Sequence, residues 1–135
     1  MNIGKFTVKS QEAIRNAQEI ALSRESAQVG VPHLLSALLI QEGSLVPAVL
    51  LRLGVDLERL KGKLTDILDK IPRERIDGGA GAVYLTPELS RVLDGAERQM
   101  ASMGDAFVST EHLLLSLAES PSSAREALSG MGVTH

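Results

Sequence analysis

The sequence predicts an all-α fold of two tandem helical units related by pseudo-twofold symmetry and sharing one core. Three observations predict it. Residues 6–39 and 85–118 align without a gap at a constant offset of 79, and nine of the 34 pairs are identical. These include Thr7/Thr86, Val29/Val108, His33/His112, Leu34/Leu113 and Leu38/Leu117. Conservative pairs such as Phe6/Leu85 and Ile14/Leu93 hold the same register, so the repeat is one of structure. Apolar residues recur at helical spacing along the whole chain. The aromatic residues are only Phe6, Tyr84 and Phe107, so the core must be aliphatic.

The elements follow in order. Thr7 or Ser10 can cap a helix running to about Ser23, with Ala13, Ile14, Ala17, Ile20 and Ala21 on one face. Gly30-Val31-Pro32 opens the next helix, with proline in its first turn. His33, Leu34, Leu35, Leu38 and Leu39 face inward until Gly43. Ser44 opens a third helix that Gly54 ends, and Asp56 caps a fourth carrying Leu57, Leu60, Leu64, Ile67, Leu68 and Ile71. These elements make repeat one, residues 1–71. Residues 72–83, with Gly78, Gly79 and Gly81, form a glycine-rich linker. A phosphate cradle fails there, because no Gly-Lys-Ser/Thr follows and no strand precedes.

Repeat two, residues 84–135, restarts the plan. Thr86-Pro87 begins a helix carrying Leu89, Val92, Leu93, Ala96 and Met100. Ser109 or Thr110 caps the next, with Leu113, Leu114 and Leu117 inward, and a short helix after Pro121 ends near Gly130. After a one-residue slip, Leu53-Gly54-Val55 matches Met131-Gly132-Val133. No counterpart of the Asp56–Ile71 helix follows, so a truncated second repeat, cut from a longer protein, is expected.

Composition excludes several classes. There is no cysteine, hence no disulfide and no thiolate metal site, which fits a reducing cytoplasmic compartment. A net charge of −3 without a basic cluster or an aromatic platform argues against nucleic acid. No apolar run approaches the ~20 residues that span a bilayer. No Ser-His-Asp order, Gly-x-Ser-x-Gly or Cys-His pair occurs, so no catalytic site and no cofactor are expected in this chain.

Two constellations stand out. His33 and His112 hold equivalent places, each in the first turn of a helix. A metal would need three or four ligands, so each imidazole is expected to pack at its helix start and hydrogen-bond a neighbouring loop. Asp105 and Glu111 flank the Ala106–Thr110 stretch. Their local reading is a turn aspartate bonded to its own backbone and a first-turn glutamate favoured by the helix dipole. The other reading is the polar rim of a binding site.

Phe6-Thr7 with Ala13-Ile14, the run Val31–Leu39 and the run Gly104–Leu117 resemble the twin Clp repeats of the Clp-family AAA+ unfoldases. Leu68–Pro72, the glycine-rich linker and Val83–Thr86 look like the ClpB-type disaggregase branch, with the ClpA and ClpC types as near alternatives. The resemblance implies an N-terminal domain of a hexameric ATPase that captures unfolded or aggregated polypeptide in a hydrophobic groove. ATP and Mg would belong to modules outside this chain. It implies the rest of the hexamer as a partner, with an adaptor or an Hsp70-type co-chaperone acting through the parent protein. The isolated domain would be monomeric, without nucleic acid or membrane. Carried over residue by residue, the site would be Thr7, Asp105 and Glu111 on the polar side and Val92, Leu93 and Leu113 on the apolar side. Gly95, Gln99 and His112 depart from the larger apolar groups expected there. Exposed apolar faces are therefore expected around Val92 and Leu93. Two or three buried side chains at roughly 1.5–3 kcal/mol each, against an association cost of at least ~4 kcal/mol, imply binding on the order of tens of micromolar or weaker.

Overall fold

The computed structural model describes residues 3–73 and 84–132. Of the expected linker only Pro72 and Arg73 fall among them, and Val133–His135 lie outside the described residues. A 3-10 turn at Ile3–Lys5 precedes α1 (Val8–Ser23), β1 (Gln28–Val29), α2 (Val31–Ile40), α3 (Val46–Arg52) and α4 (Leu57–Asp69). Then come β2 (Tyr84–Leu85), α5 (Pro87–Ser102), α6 (Thr110–Glu119) and α7 (Ser123–Gly130). The offset of 79 carries α1 onto α5 and α2 onto α6 with matching ends, and α7 takes the place of α3. The same helical unit is thus formed twice, and no counterpart of α4 stands among the described residues of the second.

The local signals act as physical chemistry requires. Thr7 Oγ1 accepts from the Ser10 N–H at 3.1 Å, and Thr86 Oγ1 accepts from the Leu89 N–H at the same distance. Thr7, rather than Ser10, is the cap; Ser10 lies inside α1 and its hydroxyl donates to the Val108 carbonyl at 2.9 Å. Asp56 caps α4 through the Arg59 N–H. The third helix starts two residues later than Ser44, which instead accepts from the Val46 N–H. Ser109, not Thr110, is the cap position of α6.

The core is aliphatic apart from Phe6 and Met100. Leu34, Leu35, Leu38 and Leu50 from the first unit meet Leu89, Leu93, Leu113, Leu117 and Leu128 from the second in one continuous cluster. Both first helices lie along both second helices, α1 on α2 and α5 on α6, and α4 packs on α2 and α7.

The two repeats are stitched by exchange. Leu85, leading into α5, pairs in parallel with Val29 before α2. Its counterpart Phe6, leading into α1, bridges in parallel to Val108 before α6. The Thr86 N–H donates to the Val29 carbonyl and the Thr7 N–H to the Val108 carbonyl, both at 2.9 Å. Each unit's lead-in therefore docks on the other unit, producing two pseudo-equivalent junctions. This crossing satisfies backbone groups that a lone unit would leave unpaired beside its core.

Candidate polypeptide-binding site

The junction where α1 begins collects three of the expected residues. The Thr7 N–H bond to Val108 holds Thr7 and Val8 against the segment that leads into α6. His112 occupies the third position of that helix, where a glutamate would complete a capping box. Its Nδ1 accepts from the Ser109 N–H at 2.8 Å. An Nδ1 that accepts leaves the ring proton on Nε2, which then donates to Asp105 Oδ2 at 2.8 Å. The side chain of Asp105 thus reaches across the loop to a buried imidazole. This corrects the expectation that it closes a turn onto its own backbone.

Glu111 stands one residue before His112, in the first turn of α6, and accepts from the Thr110 hydroxyl at 3.1 Å. Asp105 is exposed and Glu111 is half-buried, so two carboxylates border this end of the molecule.

The apolar half of the expectation is corrected. Val92 is 0 %, Leu93 1 % and Leu113 0 % exposed. Leu89, Val92, Leu93, Ala96 and Met100 form one stripe of α5, and that stripe is consumed against α6 and the core. A 3.6-residue period gives one helix one such face, so the same residues cannot both hold the core and remain open. Leu113 is the repeat partner of Leu34, which is equally buried. These three residues belong to the core cluster.

The exposed apolar groups at this junction are others. Val8 is 75 %, Met103 55 % and Phe107 55 % exposed. Val8 follows the cap Thr7 and lies off the Ala13–Ile14–Ala17 stripe. Phe107 precedes Val108, which turns inward in the bridge to Phe6. A signal for Phe107 existed in the repeat, because its partner position carries the polar Gln28. A large aromatic where the other copy has an amide points to a local function rather than to the shared core. Met103 sits in the turn ending α5, and its partner position is Arg24.

The residues that depart from the family pattern have structural roles. Gly95 of α5 faces Ser116 of α6; a Cβ there would stand 2.5 Å from Ser116 Oγ. That hydroxyl donates to the Val92 carbonyl at 2.6 Å. Gln99 donates to Glu119 at 2.7 Å. His112 carries the cap described above. Among the described residues no group of side chains could hold a metal ion, and no helix is long and apolar enough to cross a membrane.

The chain matches the Clp repeat (R) N-terminal domain family over residues 5–131. It belongs to that family. It is 37% identical over 138 residues to the chaperone protein ClpB of Propionibacterium freudenreichii, covering 99% of this chain and 15% of that protein. It is 34% identical to ClpB of Pseudomonas putida, covering 99% and 16%. The chain thus spans about a sixth of the length of these relatives. Among solved structures it resembles the Hsp104 N-terminal domain from Candida albicans, with TM-score 0.82 and 22% identity over 96% of this chain and 83% of that one. It also resembles the ClpV N-domain solved in complex with a VipB peptide, with TM-score 0.74 and 20% identity over 96% and 80%.

Proposed function

We propose that this Clp repeat domain is the polypeptide-capturing module of a ClpB-type disaggregase, acting in the cytoplasm and feeding unfolded or aggregated segments to a hexameric ATPase ring. Thr7, Asp105 and Glu111 form the polar rim, and Val8, Met103 and Phe107 supply the contact area. One observation carries the reading: Val8 and Phe107, both exposed and apolar, each adjoin one end of the Thr7–Val108 hydrogen bond that joins the two repeats, and Asp105 lies two residues before Phe107. Exposed apolar groups so placed mark a surface that meets a partner. The peptide bound to the ClpV N-domain is consistent with this use of the fold. ATP and Mg would be bound by modules that this chain does not contain, and an adaptor or Hsp70-type co-chaperone would act through the parent protein. Val92, Leu93 and Leu113 then act by holding α5 and α6 in place.

The test is fluorescence anisotropy with a labelled, permanently unfolded polypeptide. Val8→Ser with Phe107→Ser should weaken binding at least about tenfold at every salt concentration, the loss that 1.4 kcal/mol represents. Asp105→Asn with Glu111→Gln keeps an acceptor for His112 and removes both charges. It should weaken binding mainly at low salt, since exposed charges are screened beyond ~10 Å at 0.1 M. Parent-like binding by both variants would overturn the assignment. Binding of a folded adaptor in place of the unfolded chain would move it to the protease-associated ClpA or ClpC type.

A further inference from the structure

The second junction, at the start of α5, contains a site of different chemistry. His33 is the repeat partner of His112 and caps α2 in the same way, its Nδ1 accepting from the Gly30 N–H at 2.8 Å. The proton must again sit on Nε2. Here the parallel ends. The position matching Asp105 is Ser26, whose hydroxyl donates to the Gln28 carbonyl at 2.8 Å. His33 is 1 % exposed, and its Nε2 has no hydrogen-bond partner among the described residues. A buried N–H donor without an acceptor costs on the order of 1–3 kcal/mol, so such a group is retained where something answers it.

The ring lines two cavities. One, of about 420 Å³, has a mixed lining, apolar from Val31, Pro32, Ile67, Ile71 and Pro72 and polar from Gln28, Thr86 and Glu88 among others. The other, of about 210 Å³, is lined by Arg24, Ser26, Asp69 and Arg73 along with His33. Arg24 is close enough for its charge to act on the imidazole. Its Nη1 bonds Asp69 Oδ1 at 2.9 Å. A guanidinium carries five N–H donors, so that contact uses a fraction of its capacity.

We propose that this junction binds the C-terminal carboxylate of a polypeptide whose last residue is apolar. The carboxylate accepts from His33 Nε2 and from Arg24, with Arg73 alongside. The last side chain enters the cavity walled by Val31, Ile67, Ile71 and Pro72. A carboxylate suits donors of this kind because it offers only acceptors. An ammonium or a guanidinium group would bring further donors to a site that already has one too many. The proposal does not rest on capture at the Thr7 junction, and the resonances of the two junctions report on each separately.

The experiment is a long-range ¹H–¹⁵N NMR titration of the histidine rings with a short unstructured peptide ending in leucine, with a free carboxylate or as the C-terminal amide. The free acid should shift the His33 Nε2 resonance and the amides of Ser26 and Val31, leaving His112 in place. The amide should bind at least about tenfold more weakly, a difference of 1.4 kcal/mol. Arg24→Gln, which leaves the cap of α2 intact, should produce a similar loss. Acetate shifting His33 as strongly as the peptide would show a small-anion site and overturn the peptide assignment. Equal binding of acid and amide, shifts confined to Val8 and Phe107, or no His33 response at millimolar peptide would also overturn it.

Discussion

The two junctions share one backbone and differ in what they do with it. At both, a threonine caps a long helix, donates its N–H to a valine of the other repeat, and faces a histidine that caps the second helix through Nδ1. At the Thr7 junction the histidine's other nitrogen meets Asp105, while Val8, Met103 and Phe107 stand open. At the Thr86 junction the aspartate is replaced by Ser26, the phenylalanine by Gln28 and the glutamate by Pro32. The polar nitrogen is left buried between two cavities. Pseudosymmetry thus holds what folding needs, and the repeats diverge where a surface can be used.

The comparison breaks first if the core is not shared. Leu34→Ala and Leu113→Ala remove equivalent, fully buried side chains and should each cost about 2–5 kcal/mol in denaturant unfolding, in a single transition. A large loss for one with little for the other, or two separate transitions, would show two independently stable units. By the same logic Leu93→Ser should unfold the domain rather than subtract binding alone.

Next in size is the histidine difference. Asp105→Ala should cost about 1–3 kcal/mol, because it leaves His112 Nε2 in the unpartnered state that His33 already has. Ser26→Ala removes only a hydroxyl bonded to its own loop and should cost less. Equal losses would mean that the Asp105–His112 bond is not what separates the two junctions.

The pH dependence follows. Burial holds the His33 pKa below its ordinary 6.5, and the Arg24 charge lowers it further. The unfolded chain therefore binds a proton first as pH falls. Stability from this group is whole above pH 6.5 and is lost as pH drops from there through the lowered folded value, at no more than about 1.4 kcal/mol per pH unit. Comparing the parent with His33→Gln from pH 7.5 to 5.5 should show a steeper decline for the parent. Parallel profiles would contradict this.

The smallest effect concerns how closely the helices approach. Gly95 has Asn16 as its counterpart, and Ser116 has Ala37. Gly95→Ala should be neutral to destabilising in the parent, since the new methyl displaces a hydroxyl bonded to Val92. In a Ser116→Ala background it should stabilise by up to about 1 kcal/mol, the ordinary helix preference for alanine. Destabilisation in both backgrounds would place the constraint in the backbones instead.

The fold was legible because caps, prolines and apolar periods are local signals written twice, and Thr7, Thr86 and Asp56 behave as their positions require. That His33 and His112 pack at their helix starts could be read for the same reason; that each caps its own helix through Nδ1 could not. The exchange of lead-ins was not, since short pairings such as Phe6 with Val108 carry little sequence signal. Thr7, Asp105 and Glu111 came from family resemblance; the structure bonds Thr7 to Val108 and Asp105 to His112. The apolar residues carried over with them are not exposed, because Val92, Leu93 and Leu113 belong to the stripes that build the core. The open side chains lie off those stripes, and only the contrast of Phe107 with Gln28 marked one of them.

We propose that the Thr7 junction, and not the α5 stripe, receives unfolded polypeptide. Methyl and amide chemical-shift mapping of the parent domain with an unfolded client containing no free apolar C-terminus tests it directly. Saturable shifts at Val8, Met103 and Phe107, with Asp105 and Glu111 following and Ile40, Leu45 and Leu51 unchanged, are the predicted result. Shifts centred on the exposed Leu45–Leu53 face, with Val8 and Phe107 silent, would contradict it.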